Sequence, residues 1–169
     1  MRIIIVEDDE NLREALKYIC KDVLGHQAVA VSGGESALGL MDMIKPHLVF
    51  VDYNLEKMNG VDLTKKIKEI SPHCTVIMVS GSRDMQIAID AMRAGCSDFI
   101  LKPYNINDIG AALNETQYRM DNVRTLEDLE SEHITNVSAC SATQREAARK
   151  LGINEATLWR KRKQLKAVA

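Results

Sequence analysis

Four short segments carry the residues able to do chemistry. They are Glu7-Asp8-Asp9, Asp52, Ser80-Gly81 and Lys102-Pro103. Each directly follows or ends an apolar run rich in branched side chains: Ile3–Val6, Leu48–Val51, Thr75–Val79 and Phe99–Leu101. Apolar runs of this length suit strands buried on both faces, as in a parallel sheet. A parallel sheet brings its carboxyl ends to one edge, where ligands of open α/β sheets bind. Carboxylates, a hydroxyl and an ammonium then converge on one cleft. Crowded carboxylate oxygens suit a hard, oxygen-seeking cation such as Mg2+. A single acidic turn is usually just solvated, so the weight rests on four matched strand ends.

The elements that must position these groups follow from periodicity. A fifth apolar run, Ala28–Val31, joins the other four. Between the runs, apolar residues recur at helical spacing. Leu12, Ala15, Leu16, Ile19 and Val23 mark the first helix, and Ala37, Leu38, Met41 and Ile44 the second. Val61, Leu63, Ile67 and Ile70 mark the third; Ile87, Ala88, Ala91 and Met92 the fourth; Ile106, Ile109 and Leu113 the fifth. The expected fold is α/β: a doubly wound five-stranded parallel sheet over residues 1–120.

The charge changes along the chain. Residues 141–169 hold eight Lys and Arg against two Asp and Glu, so residues 1–140 hold 14 against 22. The net charge of −2 therefore joins an acidic body at −8 to a basic end at +6. That asymmetry points to nucleic-acid contact confined to the C-terminus. There, Ser141-Ala142-Thr143-Gln144 offers a capping box, and Ala147, Ala148 and Leu151 give a helix an apolar face. Gly152 stands where a left-handed cap is needed, Asn154 can cap the next helix, and Leu158 and Leu165 mark its buried side. Two helices crossing closely around a glycine turn make a small all-α helix-turn-helix. Trp159 reads as a core or dimer-packing aromatic.

Four cysteines (Cys20, Cys74, Cys96, Cys140) are scattered without a C-x-x-C pair and read as reduced thiols. The four histidines lack metal-ligand spacing. No apolar run approaches the ~20 residues of a membrane span, and the N-terminal run reads as a strand rather than a leader. The expectation is a cytoplasmic protein without membrane contact.

The strand-end residues resemble the receiver domain of bacterial two-component response regulators. The motifs that carry this are Val6-Glu7-Asp8-Asp9, Val51-Asp52-Tyr53-Asn54-Leu55, Gly60, Val79-Ser80-Gly81 and Phe99-Ile100-Leu101-Lys102-Pro103. The resemblance implies a flavodoxin-like fold in which Asp52 takes a phosphoryl group from a sensor histidine kinase. It implies Mg2+ held by Glu7, Asp8, Asp52 and the backbone carbonyl of Asn54. Lys102 and Ser80, helped by Gly81, would hold phosphoryl oxygens, and Ser80 with Phe99 would form the switch pair. One departure is Glu56, where the family usually has proline.

Residues 126–169 resemble the Fis-type helix-turn-helix that ends regulators of the nitrogen-regulator class, carried by Glu146–Ile153 and Ala156–Lys161. The resemblance places Asn154, Glu155, Thr157 and Arg160 at base edges, and Thr143, Gln144, Arg145, Lys161 and Lys163 at phosphates. It implies a homodimer on a near-palindromic duplex site read in the major groove, with Leu126, Leu129, His133, Ile134 and Val137 as the dimer face. Arg162 departs from the family's apolar residue. Residues 121–125 are expected to be a helical linker.

No G-x-x-x-x-G-K-[ST] occurs, so the chain resembles short two-module regulators, including redox-responsive ones, without their proline-rich linker. The expected function is a phosphorylation-controlled transcription factor. It is not a conventional enzyme, since it catalyses only its own phosphotransfer and dephosphorylation. An architectural DNA binder with a vestigial receiver, a phosphate sink and a carboxylate-nucleophile hydrolase are the competing readings. The complete acid set, the basic end and the lack of a substrate-binding cap argue against them in turn.

Overall fold

The computed structural model describes residues 1–122 and 126–168, and the chain divides into two compact units, Met1–Asp121 and Asn122–Ala169. In the first unit, β1 (Arg2–Val6), β2 (Gln27–Val31), β3 (Leu48–Asp52), β4 (Thr75–Ser80) and β5 (Asp98–Leu101) form one parallel sheet in the order β2-β1-β3-β4-β5. The order reverses between β1 and β3, the point where an open α/β sheet leaves a crevice at its carboxyl edge. The five helices are α1 (Glu10–Tyr18, continued by a π-helical turn Ile19–Val23), α2 (Gly34–Ile44), α3 (Gly60–Ile70), α4 (Met85–Arg93) and α5 (Ile106–Asp121).

β3 shows why its run lacks alternation: all five of its residues are buried. Even and odd positions serve two different cores. Ile4, Val49, Val51, Val76 and Met78 pack on Leu63 and Ile67 of α3 and Met41 of α2. Ile3, Ile5, Phe50, Ile77 and Val79 pack on Leu16 of α1 and Ile109 and Leu113 of α5. Burying such side chains on both faces contributes roughly 1.5–3 kcal/mol each, and that fixes the strand register.

The second unit is all-α: α6 (Leu126–Ala139), α7 (Gln144–Lys150) and α8 (Glu155–Val168). Its core is Ile134, Ala147, Ala148 and Leu158, joined by Val137, Leu151 and Ile153. Gly152 (φ 67°) ends α7 in a Schellman turn. Its N–H donates to Arg149 O and the Ile153 N–H to Ala148 O. The cap of α7 lies two residues later than expected. Thr143 rather than Ser141 accepts from the Glu146 N–H, and Glu146 reciprocates by accepting from the Ala142 N–H. Asn154 caps α8 as expected, its Oδ1 accepting from the Thr157 N–H at 2.7 Å.

One expectation changes here. Ile134 is 3% exposed and, with Val137, is consumed in the unit's own core, so neither is free as a dimer face. The periodicity of one helix cannot tell an internal core from an interface. The side chains of Leu126, Leu129 and Leu165, and linker residues 123–125, lie outside the described residues. Helix α5 does extend through Asp121, the first of the expected linker positions.

Candidate phosphoacceptor site and DNA-facing helix

The four strand ends meet. Val6 and Asp52 end β1 and β3, Ser80 ends β4, and Lys102 follows β5 directly. Asp52 pairs with Val79 and Ser80 with Leu101 across the sheet, so the chemical residues fall in a near-continuous row along one edge. Carboxylate oxygens of Glu7, Asp8 and Asp52 all lie within 4.8 Å of one another. Into this cluster reaches Lys102, whose Nζ donates to Glu7 Oε2 at 2.6 Å and contacts Asp52 Oδ1 at 2.8 Å.

The electrostatics follow from burial. Glu7 and Asp52 both titrate above the ordinary carboxylate range, because burial disfavours their charge more than Lys102 restores it. Burial alone would lower Lys102, but its hydrogen bonds to Asp52 and Glu7 outweigh that and raise it. Three formal negative charges face one positive charge, a deficit of two that a divalent cation matches. The donor set is all oxygen, as a hard cation requires. Asn54 supports it from the loop, where its N–H donates to Asp52.

Ser80 is wholly buried, and its Oγ accepts from the Ser82 N–H at 3.1 Å, leaving its proton free to donate elsewhere. Gly81 is exposed beside it. Phe99 is half-buried against the α3-side core. Glu56 is exposed and shares a cleft of about 240 Å3 with Asp8, Ser32 and Gly34. The proline's replacement thus puts a carboxylate at the mouth of the site.

Two contributors, Arg13 and Tyr104, were not singled out in the residue pattern, and a third, Asp9, was named there only as part of the acidic turn. Arg13, on the first turns of α1, donates through Nη1 to the carbonyls of Glu7 and Asp8, both at 3.0 Å, tying down the acidic turn. Nothing but its place just after the first strand end marks it in the sequence. Asp9, the last acid of that turn, is turned toward α1 and caps it by accepting from the Leu12 N–H. The Tyr104 hydroxyl is buried without a partner two residues past Lys102, and burial raises its pKa.

In the second unit, Gln144, Arg145, Asn154, Glu155, Arg160 and Lys163 are exposed, as is Thr143, and Thr157 is half-buried. A groove of about 570 Å3 runs between α7 and α8, lined by Thr143, Arg145, Arg149, Asn154 and Glu155. Lys161 is placed differently from the expectation. Its Nζ donates to both carboxylate oxygens of Glu130 on α6 at 2.7 Å, a surface ion pair that already engages the charge expected at a phosphate. Helical rotation explains this: Lys161 lies on the flank of α8 near buried Leu158, away from Arg160 and Lys163. Trp159 is 54% exposed, neither core nor covered.

Residues 3–114 match the response regulator receiver domain family, and residues 125–165 match the Fis family of bacterial regulatory proteins. The chain belongs to the response regulators. It is 32% identical to the chemotaxis protein CheY of Thermotoga maritima over 114 residues, 68% of this chain and 95% of CheY. It is 36% identical to the response regulator protein FleR of Pseudomonas aeruginosa over 106 residues, 61% of this chain but 22% of FleR. Among solved structures, the receiver domain of NtrX from Brucella abortus superposes with a TM-score of 0.64 at 30% identity, covering 68% of this chain and 96% of that one. A two-component response regulator from Clostridium difficile gives 0.68 at 24% identity, covering 72% and 99%, which speaks for the fold. This response regulator therefore pairs a receiver, which implies a histidine kinase partner, with a Fis-type helix-turn-helix, which implies DNA binding. No described helix is long and apolar enough to cross a membrane.

Proposed function

We propose that Asp52 is the phosphoryl acceptor of a cytoplasmic, DNA-binding transcriptional switch. The observation that carries this is the cluster of Glu7, Asp8 and Asp52 within 4.8 Å, with Lys102 2.6 Å and 2.8 Å from two of its members. An Asp52 oxygen attacks phosphorus, the bond from phosphorus to the kinase histidine nitrogen breaks, and an acyl phosphate forms on Asp52. Glu7, Asp8, Asp52 and the Asn54 carbonyl would hold Mg2+, which supplies positive charge against the repulsion between carboxylate and phosphoryl oxygens.

Lys102 already touches Asp52, so a small displacement brings its ammonium to a phosphoryl oxygen. Ser80 has a free proton for a second oxygen, and the Gly81 amide is exposed to help. Drawing Ser80 toward the phosphoryl group opens space into which Phe99 turns, reshaping the surface around β5. This is self-catalysed transfer, and hydrolysis of the acyl phosphate resets it.

The output is duplex recognition by α8 in the major groove. Asn154, Glu155, Thr157 and Arg160 face base edges, and Thr143, Gln144, Arg145 and Lys163 face phosphates. Two copies are needed to read a near-palindromic site, so the bound form is a homodimer. The test uses wild type and Asp52→Asn with Mg2+ and acetyl phosphate. A gain of one phosphate in intact mass, lost in the variant, together with phosphorylation-sensitive capture of genomic DNA fragments, is expected. No phosphate gain in the wild type would sink the switch. Size analysis before and after phosphorylation tests the dimer.

A further inference from the structure

The chain's sole tryptophan is on the helix assigned to DNA, yet it is neither core nor an assigned contact. Leu158, wholly buried, fixes the rotation of α8. At about 100° per residue, Trp159 lies roughly 100° from that buried line, Lys163 roughly 140° and Arg160 roughly 160°. Trp159 is therefore at the rim of the exposed face, and Lys163 sits one turn on, closer to its centre. The Lys163 Nζ lies 5.1 Å from the centroid of the Trp159 ring, inside the range of a cation–π contact. Lys161, the neighbouring cation, is held by Glu130, whereas no carboxylate of the described residues pairs with Lys163.

We propose that Trp159 is a positioning residue: its ring holds the Lys163 ammonium at the edge of the recognition helix, where it meets a DNA phosphate. The inference rests on the DNA-binding reading above and adds to it the residue that orders one of its contacts. A lysine on an exposed helix samples many rotamers, and restricting it before binding removes part of the ordering cost from the complex. The ring face satisfies the ammonium only weakly and leaves its N–H groups free, so a phosphate can still accept from them. A carboxylate in the same place would neutralise the charge. An indole at the rim, about 100° from the buried line, orients a cation without entering the stack of bases.

The experiment compares full-length wild type with Lys163→Gln, Trp159→Leu, Trp159→Phe and the Leu/Gln double variant. Each is titrated with a labelled mixed-sequence duplex over a range of salt, and peptide circular dichroism confirms folding. Lys163→Gln is expected to lower the salt slope by about one phosphate contact. Trp159→Leu should weaken binding about two- to fivefold in the wild-type background, and add nothing once Lys163 is glutamine. Trp159→Phe, which keeps a ring face, should recover most of that loss. Without DNA, Lys163→Gln should already change the Trp159 emission.

Equal losses from Trp159→Leu in both backgrounds would overturn the proposal, because the ring would then act independently of Lys163. A change of oligomeric state in Trp159→Leu would overturn it too, making the ring a packing residue. If wild type fails to bind the duplex even at low salt, the DNA-binding reading itself falls. Binding by wild type with additive variants sinks only the role of Trp159.

Discussion

Replacing Lys102 by methionine tests the electrostatic account of the acid cluster directly. Lys102 is the cation in contact with Glu7 and Asp52, and the three side chains are 18%, 4% and 6% exposed. Methionine keeps the stem's packing and removes the charge, so the deficit rises from two formal negative charges to three. Removing one partner of a buried pair costs about 3–5 kcal/mol, because the remaining charges are left without compensation. The cleft opens to water on one side, so about 2–4 kcal/mol is expected here. With a urea slope near 2 kcal/mol/M, the unfolding midpoint at neutral pH without divalent cations should fall by about 1–2 M. Circular dichroism reads both units, and Trp159 emission tracks the all-α unit separately, so the α/β transition is the part of the dichroism that emission does not follow.

Two further arms make the cause identifiable. Millimolar MgCl2 should shrink the gap between variant and wild type, because a divalent cation supplies the missing charge. Lowering the pH to about 5 should shrink it as well. Glu7 and Asp52 titrate above their ordinary values of 4.5 and 3.8, chiefly through burial. A carboxyl with a raised folded pKa contributes stability that is present below its ordinary value and is lost as pH rises through the folded one. Removing Lys102 raises both carboxyls further, so the variant's deficit is largest at neutral pH and closes as they protonate. A variant as stable as wild type at neutral pH, or a gap that ignores both Mg2+ and pH, would refute the reasoning.

Two more outcomes test other parts of the structure. A Cβ at Gly60 would lie 2.5 Å from the Asp52 carbonyl oxygen and 2.9 Å from the Tyr53 Cα, backbone atoms that cannot swing aside. Gly60→Ala should therefore lower stability by about 2–4 kcal/mol in urea titrations and reduce phosphate incorporation, because the phosphoacceptor strand end must shift. Lys161 bridges to Glu130 between α8 and α6. A double-mutant cycle of Lys161→Ala with Glu130→Gln should give an interaction energy of about 0.5 kcal/mol in unit stability, while the salt slope of DNA binding changes less than in Lys163→Gln.

The linear chain determined most of the architecture and the acid cluster. Runs such as Leu48–Val51 carry no polar alternation, which only strands buried on both faces tolerate, and helical spacing between them dictates the βα alternation. Asp52, Ser80 and Lys102 are legible because strand ends are local features, and a parallel sheet has one carboxyl edge at which to gather them. Gly152 and Asn154 are legible for the same reason, since turn and cap chemistry depends on neighbours along the chain. Tertiary structure alone decided what depends on which surface meets which. Ile134 and Val137 have a periodicity equally suited to a dimer seam or an internal core, and only the crossing of α6 with α7 and α8 sends them inward. Lys161 and Lys163 differ by two residues, yet helical rotation gives one to Glu130 and the other to the face of Trp159. The double role of Lys102, held between two buried carboxylates, likewise exists only once residues 50 and 95 positions away in the sequence are folded against it at the sheet edge, because pairing energy in a buried cleft depends on ångström distances that sequence spacing does not encode.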